Sequence, residues 1–221
     1  MARLARVVIP GVPHHLTQRG NRRQKVFFSA ADHAAYLELL RQWCAERSVE
    51  VWAYCLMPNH VHLIVLPESE DGLRRAIGEA HRRYTRMINF REGWRGHLWQ
   101  GRFASYPMDE THLMAAARYI ERNPVRARLV RRGWDYRWSS AKAHVEGRDD
   151  AVVKVKPLLE RVEDWREFLR LPEDERTLES LREHERTGRP LGDERFIAKL
   201  ERLAGRLLHR QKPGPKGPGK K

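Results

Sequence analysis

The order of strand-like and helix-like segments along the first 148 residues is the strongest constraint on the fold. Two alternating apolar runs, Val49–Met57 and His60–Leu66, are separated by Pro58-Asn59, a dipeptide typical of turns, and together they predict a β-hairpin. Helix-like segments stand on either side of it, Ala30–Arg47 and Gly72–Phe90. A hairpin flanked by helices and outer strands is typical of a ferredoxin-like α+β fold, in which helices cover one face of an antiparallel sheet.

Three further segments complete the predicted order β-α-β-β-α-β-α. Arg6–Gln18 is predicted as a first strand, made irregular by its two prolines, and His97–Met108 as the fourth strand. Asp109–Arg122 is predicted as a helix that Asp109 caps. This helix must end near Pro124, because the residue before a proline is pushed out of the helical region.

The charge distribution divides the chain near residue 148. Lys and Arg number 43 against 29 Asp and Glu, a formal net charge of +14, and this surplus favours nucleic acid as the partner. Residues 1–148 carry 25 basic and 14 acidic side chains, whereas 149–221 carry 18 and 15. We therefore predict a functional domain over 1–148 and a charged, helical C-terminal extension over 149–221. The Pro/Gly/Lys-rich end of the extension, from Gln211, is predicted to be disordered.

Composition also excludes several classes of protein. Cys44 and Cys55 are too few for a disulfide framework and indicate a reducing compartment. The chain has no apolar run of signal-peptide length at its start and none of membrane-spanning length, so we expect a soluble, cytoplasmic protein without a membrane partner. Its 7 Trp, 6 Tyr and 6 Phe suffice for a core and exclude global disorder.

His60 and His62 are candidate metal ligands. They open the second strand of the predicted hairpin and are separated by one residue, so both imidazoles point to the same face. Two nitrogens on one face can chelate a divalent cation, although a chance pair on a half-exposed strand explains the pattern equally well. A metal site needs a third ligand.

The helix Asp109–Arg122 offers that ligand together with a nucleophile. Tyr119 and Asn123 stand four residues apart and therefore share a helix face. An amide oxygen with two imidazoles suits Mg²⁺ or Mn²⁺ and leaves open positions for a phosphate oxygen. The Tyr119 hydroxyl would lie beside this ion, and the ion and the flanking arginines would favour its ionised form.

Other assignments for these residues stay open. A helix tyrosine more commonly just packs against the sheet, and Tyr119 could do the same. Tyr84 is the rival nucleophile because it lies among three arginines, but no oxygen ligand stands near it at helical spacing. The histidines without an assigned role are His14, His15, His81, His97 and His112.

Three segments supply candidate DNA-binding residues. The loop after the first strand combines cations with an amide, groups that contact phosphates and base edges. The fourth strand combines aromatic, amide and cationic groups, and alternation predicts that one of its two faces is in the core. Arginines around Tyr119 would hold a phosphate backbone. The candidates are Arg19, Asn21, Arg22 and Arg23 in the loop, Trp99, Gln100 and Arg102 on the strand, and Arg118, Arg122 and Arg126 near Tyr119.

Three motifs, MPNHVHLIVLP, LWQGRF and ARYIERNPVRARLV, carry a resemblance to a known family. In this order, and over residues 5–145, the chain resembles the REP-associated tyrosine transposases, which are single-tyrosine HUH transposases of the IS200-like group. The resemblance implies a Mg²⁺- or Mn²⁺-dependent single-stranded DNA endonuclease and strand transferase that acts on hairpin-forming REP-like repeats through a 5′-phosphotyrosine link.

By position in these motifs, His60 and His62 match the metal pair and Tyr119 the nucleophile. Asn123 matches the helix-borne third ligand, for which the family commonly uses Gln. Related enzymes occur as monomers or as homodimers that exchange the tyrosine helix, so both states remain open.

Two other functions fit part of the pattern. A non-catalytic ferredoxin-like nucleic-acid-binding module would explain the charge and the aromatic residues, but it leaves His60, His62 and Tyr119 without a role. An HUH replication or relaxase nuclease would use the same residues, but such proteins usually have longer chains.

Overall fold

The computed structural model describes residues 6–209, so the predicted Pro/Gly/Lys-rich end lies outside the described residues. The strands are β1 (His14–Arg19), β2 (Val49–Met57), β3 (His60–Pro67) and β4 (Ala104–Pro107). The helices are α1 (Ala30–Glu46), α2 (Gly72–Glu92), α3 (Glu110–Glu121), α4 (Asn123–Arg126), α5 (Ala141–Glu146), α6 (Lys156–Leu159), α7 (Trp165–Arg170), α8 (Glu175–Thr187) and α9 (Glu194–Ala204).

The four strands form one antiparallel sheet in the order β2-β3-β1-β4. This order and the helices between the strands confirm the predicted ferredoxin-like α+β fold. The first and fourth strands are shorter than predicted. β1 begins only after the two prolines that precede it, and β4 begins after Gly101, whose left-handed φ of 71° interrupts the extended chain.

Helices α1 and α2 cover one face of the sheet, as predicted. Ser29 caps α1 through a reciprocal pair of hydrogen bonds, in which its hydroxyl accepts from the backbone of Asp32 and the Asp32 carboxylate accepts from the backbone of Ser29. Alternate β3 residues, Val61 and Leu63 among them, point to this face and are fully buried.

The opposite face is covered by α3 and by the C-terminal extension. Ile64 of β3 and Tyr106 of β4 share a buried cluster here with Trp165 of α7 and Leu181 of α8. The extension therefore belongs to the same packed core as the sheet and does not stand apart from it. No helix between residues 6 and 209 combines the length and the apolar character needed to cross a membrane.

Candidate active site

Strand β3 directs His60 and His62 to the sheet face that α3 covers. Their ring centroids lie 5.0 Å apart, and His62 is only 2% exposed, whereas His60 is half-buried. In the antiparallel register His60 stands opposite Arg19 of β1, and His62 stands opposite Cys55 of β2. The two imidazoles thus share one face, as the alternation of strand side chains requires.

Burial holds both imidazoles neutral. Desolvation, with smaller contributions from the charges of Arg19 and Arg126, lowers the pKa of His60 to about 4. Desolvation likewise lowers the pKa of His62 well below its usual value, with a contribution from His60. A neutral imidazole has one nitrogen lone pair, which is the form that binds a metal ion.

The helices α3 and α4 bring Tyr119 and Asn123 to the histidine pair. The ring centroid of Tyr119 lies 5.5 Å from that of His62, with the rings perpendicular. Asn123 begins α4, and its side-chain nitrogen lies 3.4 Å from Nε2 of His60. The helix breaks at Arg122 and resumes with Pro124 in its first turn, where a proline is tolerated. Within this single chain, Tyr119 and Asn123 thus lie beside the histidine pair.

Opposing charges act on the Tyr119 hydroxyl. Burial raises the pKa of Tyr119, and the Glu185 carboxylate raises it further. The Arg126 guanidinium, 4.1 Å from the ring centroid, and the Arg182 guanidinium lower this pKa. The net pKa shift is upward, so the phenol is protonated at neutral pH and needs a further cation to ionise.

The rival tyrosine lies on the other side of the sheet. Tyr84 is fully buried in the α1–α2 layer, and its hydroxyl donates to the backbone oxygen of Val26 at 2.7 Å. This hydroxyl therefore has a structural partner and is remote from the histidine pair. Of the two tyrosines considered as nucleophiles, Tyr119 alone adjoins His62.

The basic loop after β1 is tied to the hairpin turn that precedes His60. The backbone N–H of Gly20 donates to the backbone oxygen of Asn59 at 2.8 Å. The side-chain amide of Asn59 donates to the backbone oxygen of Arg23 at 3.0 Å. Arg22 and Arg23 have left-handed φ values of 52° and 62°, and both side chains are exposed. This loop therefore presents its cations beside the histidine pair.

The segment before β4 lies next to this loop, and its residues divide between core and solvent. Trp99 and Phe103 are each 5% exposed and pack in the α1–α2 layer, whereas Gln100 and Arg102 are exposed. The prediction that one set lies in the core is confirmed. A buried indole has no face on which a base can stack, so Trp99 no longer qualifies as a DNA-contacting residue.

The C-terminal extension occupies the arginines that surround Tyr119. Each of these arginines, predicted from sequence to hold DNA, contacts the segment between residues 168 and 173. The contacts join Arg122 to the carbonyl oxygens of Leu169 and Leu171 (2.6 and 2.8 Å), Arg126 to the carboxylate of Glu173 (2.6 Å), and Arg118 to the ring of Phe168 (5.2 Å).

Two site residues missed by the sequence analysis come from β1 and β4. Nε2 of His15 lies 3.1 Å from Nδ1 of His62, and Nδ1 of His15 lies 2.7 Å from the Tyr106 hydroxyl. Strand alternation could have placed His15 at the site. His15 shares a sheet face with Arg19, and Arg19 stands opposite His60. That signal becomes usable only when the pairing of β1 with β3 is known.

Glu185 of α8 also reaches this site. Its Oε1 atom is buried without a hydrogen bond to any of residues 6–209, at 3.7 Å from Nδ1 of His62 and 3.9 Å from Nε2 of His15. Desolvation raises the pKa of Glu185 to about 7, against the lowering effect of three arginines. The sequence signal for its burial is its spacing from Leu178 and Leu181 on one face of α8.

A ferredoxin-like sheet with a His-x-His pair and a helix-borne tyrosine on one face defines the single-tyrosine HUH class of transposases. The family model for "Transposase IS200 like" matches residues 10–123, more than half of the chain. The chain therefore belongs to the IS200-like transposases.

Two relatives refine this comparison. A Haemophilus influenzae protein that carries the name REP-associated tyrosine transposase is 29% identical over 111 residues, which span 45% of this chain and 63% of the relative. A solved structure of a REP-associated tyrosine transposase bound to a REP hairpin has a TM-score of 0.58 and 22% identity, and it covers 70% of this chain and 92% of that one. The second likeness establishes the shared fold.

Proposed function

We propose that this transposase is a metal-dependent single-stranded DNA endonuclease and strand transferase in which Tyr119 is the nucleophile. The observation that carries the proposal is the convergence of the Tyr119 ring and the Asn123 amide on His60 and His62. The solved relative is bound to a REP hairpin, so we propose hairpin-forming single strands as the substrate here.

The side chains fit a divalent cation. Two ligand atoms at about 2.1 Å from Mg²⁺ and at right angles to each other stand about 3 Å apart. The Asn123 amide and Nε2 of His60 are 3.4 Å apart, and a half-turn of the amide directs its oxygen to the same point. We propose that His60, His62 and Asn123 hold Mg²⁺ or Mn²⁺.

The reaction is a transesterification. The bound cation would polarise the scissile phosphate as a Lewis acid and fix its position. The Tyr119 oxygen loses its proton and attacks phosphorus, the bond from phosphorus to the 3′ oxygen breaks, and the 3′ oxygen takes up a proton. Arg126 and Arg182 make ionisation of the phenol easier. The 5′-phosphotyrosine link retains the energy of the phosphodiester bond, so a 3′-OH reverses or redirects the transfer without ATP.

The basic loop and the neighbouring exposed residues form the proposed DNA path. The backbone N–H of Gln100 donates to the Arg19 oxygen, and that of Asn21 donates to the Leu98 oxygen, each at 2.8 Å. These bonds join the two segments into one surface beside His60. The proposed contacts to phosphates and base edges come from Arg19, Asn21, Arg22, Arg23, Gln100 and Arg102.

The covalent adduct tests the proposal. Wild-type protein incubated with Mn²⁺ and a 3′-labelled hairpin oligonucleotide should give a labelled protein band on a denaturing gel, because the tyrosine keeps the 3′ part of the cut strand. We expect Tyr119→Phe to abolish this band and to retain DNA binding. Tyr36→Phe, which removes a buried hydroxyl on the opposite sheet face, is the matched control and should retain the band.

Two results would contradict the proposal. A labelled band in Tyr119→Phe would reject this residue as the nucleophile. Tight DNA binding with no adduct from the wild type, in Mg²⁺ as in Mn²⁺, would instead support the non-catalytic nucleic-acid-binding module.

A further inference from the structure

We propose that His15 and Asn59 are positioning residues that fix the tautomers of His62 and His60, so that both rings offer Nε2 to the same ion. The inference rests on the proposed function, because it concerns the metal pair of that site. It follows from the directions of the hydrogen bonds behind the two imidazoles. A chain of partners determines each direction.

The chain behind His62 begins at a backbone carbonyl of the C-terminal extension. The Tyr106 hydroxyl donates its only proton to the Leu181 oxygen at 3.2 Å. It must then act as acceptor towards Nδ1 of His15, 2.7 Å away, which therefore carries a proton. His15 is fully buried and neutral, so its Nε2 holds a lone pair.

That lone pair determines the tautomer of His62. Nε2 of His15 lies 3.1 Å from Nδ1 of His62, and a hydrogen bond between them requires Nδ1 to be the donor. The proton of the neutral His62 ring is then on Nδ1, and the lone pair is on Nε2. An acceptor behind a ligating imidazole fixes both its orientation and its tautomer.

Asn59 fixes the tautomer of His60. The Asn59 amide nitrogen donates to the Arg23 oxygen at 3.0 Å, which turns the amide oxygen towards His60. That oxygen lies 2.6 Å from Nδ1 of His60 and can only accept, so Nδ1 carries the proton. Nε2 of His60 keeps its lone pair, and this is the nitrogen that faces Asn123. Two independent chains thus select the same nitrogen on both ligands.

A different ion position would require the opposite tautomer. His15, His62 and Glu185 each direct one ligand atom to a common region, all within 4.8 Å of one another. A cation there would bind Nδ1 of His62, which must then lose its proton. The tautomer of His62 therefore decides between the two arrangements.

Nitrogen-15 NMR of histidine-labelled, metal-free protein in EDTA reads the tautomers directly. We expect protonated Nδ1 and unprotonated Nε2 for His60 and His62. Protonated Nε2 on His62 would overturn the inference, and it needs neither metal nor activity to be seen. In Tyr106→Phe, where His15 loses its fixed direction, we expect His62 to become a mixture of tautomers.

Metal affinity provides the second readout, with Mn²⁺ binding followed by electron paramagnetic resonance. We expect His15→Phe, which keeps the ring shape but has no acceptor, to weaken Mn²⁺ binding by about 10- to 100-fold. His15→Gln places an amide oxygen near the lost Nε2 and should restore the affinity to within several-fold of the wild type. His81→Phe is the matched control, because it also removes a buried histidine bonded to a tyrosine, but on the opposite sheet face, and it should leave the affinity unchanged.

The outcomes separate the two proposals. If the wild type binds no Mn²⁺, or if His60→Ala leaves its affinity unchanged, the proposed ion site itself is wrong. If the wild type binds and His60→Ala does not, but His15→Phe binds as tightly as the wild type, the positioning role is wrong and the ion site stands.

Discussion

Glu185 is a carboxylate at the candidate site whose surroundings disfavour its charged form. Helix α8 carries it into the apolar layer beside Leu181, and its Oε1 atom is buried without a hydrogen-bond donor among the described residues. An ionised carboxylate loses hydration there, and the charges of the three nearby arginines offset only part of that loss. Burial therefore raises the pKa of Glu185 to about 7.

This pKa predicts that Glu185→Gln stabilises the metal-free protein in a pH-dependent way. Below pH 4.5 the carboxyl is protonated in the folded and the unfolded chain, so the substitution changes little. Between pH 4.5 and 7 the unfolded chain loses this proton while the folded chain keeps it, so wild-type stability falls as pH rises. The full penalty, at most about 3.5 kcal/mol at about 1.4 kcal/mol per pH unit, is present above pH 7.

Thermal unfolding in EDTA at pH 5 and pH 8 measures this effect. The Tm gain of Glu185→Gln should be small at pH 5 and clear at pH 8, by roughly 2–4 °C for each kcal/mol in a chain of this size. Glu179→Gln, at an exposed position on the same helix, is the control for loss of one negative charge. Equal gains at both pH values, or an equal gain in the control, would show that the carboxylate of Glu185 is not strained by burial.

At the scale of elements, the helix pair α3–α4 is held by the segment that leads from α7 to α8. Glu173 pairs with Arg126 at 2.6 Å and with Arg122 at 3.4 Å, and its side chain is 10% exposed. Both arginines flank the proposed nucleophile. In this arrangement they neutralise a carboxylate of the same chain instead of a DNA phosphate.

We therefore expect Glu173→Gln to strengthen the binding of single-stranded DNA. The substitution removes the carboxylate that neutralises both guanidinium charges, and two charges available to phosphates would add about 1.4 to the steepness of the log–log salt dependence, at about 0.7 for each phosphate contacted. Fluorescence anisotropy with a labelled hairpin oligonucleotide in EDTA, over a series of KCl concentrations, gives affinity and slope without cleavage. Glu175→Gln, an exposed substitution of the same charge nearby, should tighten binding less and leave the slope unchanged. The same slope in all three proteins would mean that Arg122 and Arg126 do not reach the DNA.

At the scale of the whole molecule, local sequence pattern predicts the helices and strands, whereas the pairing of distant strands determines which side chains meet at the candidate site. The hairpin strand Val49–Met57 has the predicted bounds, because turn chemistry and alternation are local properties. His15 meets His62 across 47 residues through the pairing of β1 with β3, and no local period encodes that register. The sequence likewise does not predict where the extension packs. Its helices are recognisable from local pattern, but the face against which they pack depends on the rest of the core.

A buried cluster around Glu121 connects α3 to the extension. One carboxylate oxygen accepts from the Ser140 hydroxyl at 2.6 Å and from Nδ1 of His144 at 2.7 Å, and the other accepts from the indole N–H of Trp165 at 2.7 Å. Glu121 is fully buried and stands two residues after Tyr119. Three donors from α5, α7 and the turn before α5 thus converge on one carboxylate.

We expect Glu121→Gln to lower the free energy of unfolding by about 2–4 kcal/mol, because an amide nitrogen then faces a buried donor. Trp165→Phe keeps the apolar packing and removes one donor, so its cost should be smaller, about 1–2 kcal/mol. The matched control is Glu50→Gln, whose exposed carboxylate accepts from the indole of Trp52 at 2.8 Å and should cost less than about 1 kcal/mol. Urea unfolding of the four proteins gives the order directly. A similar loss in Glu50→Gln and Glu121→Gln would mean that the buried carboxylate does not fasten α3 to the extension, because only a desolvated acceptor makes the two substitutions unequal.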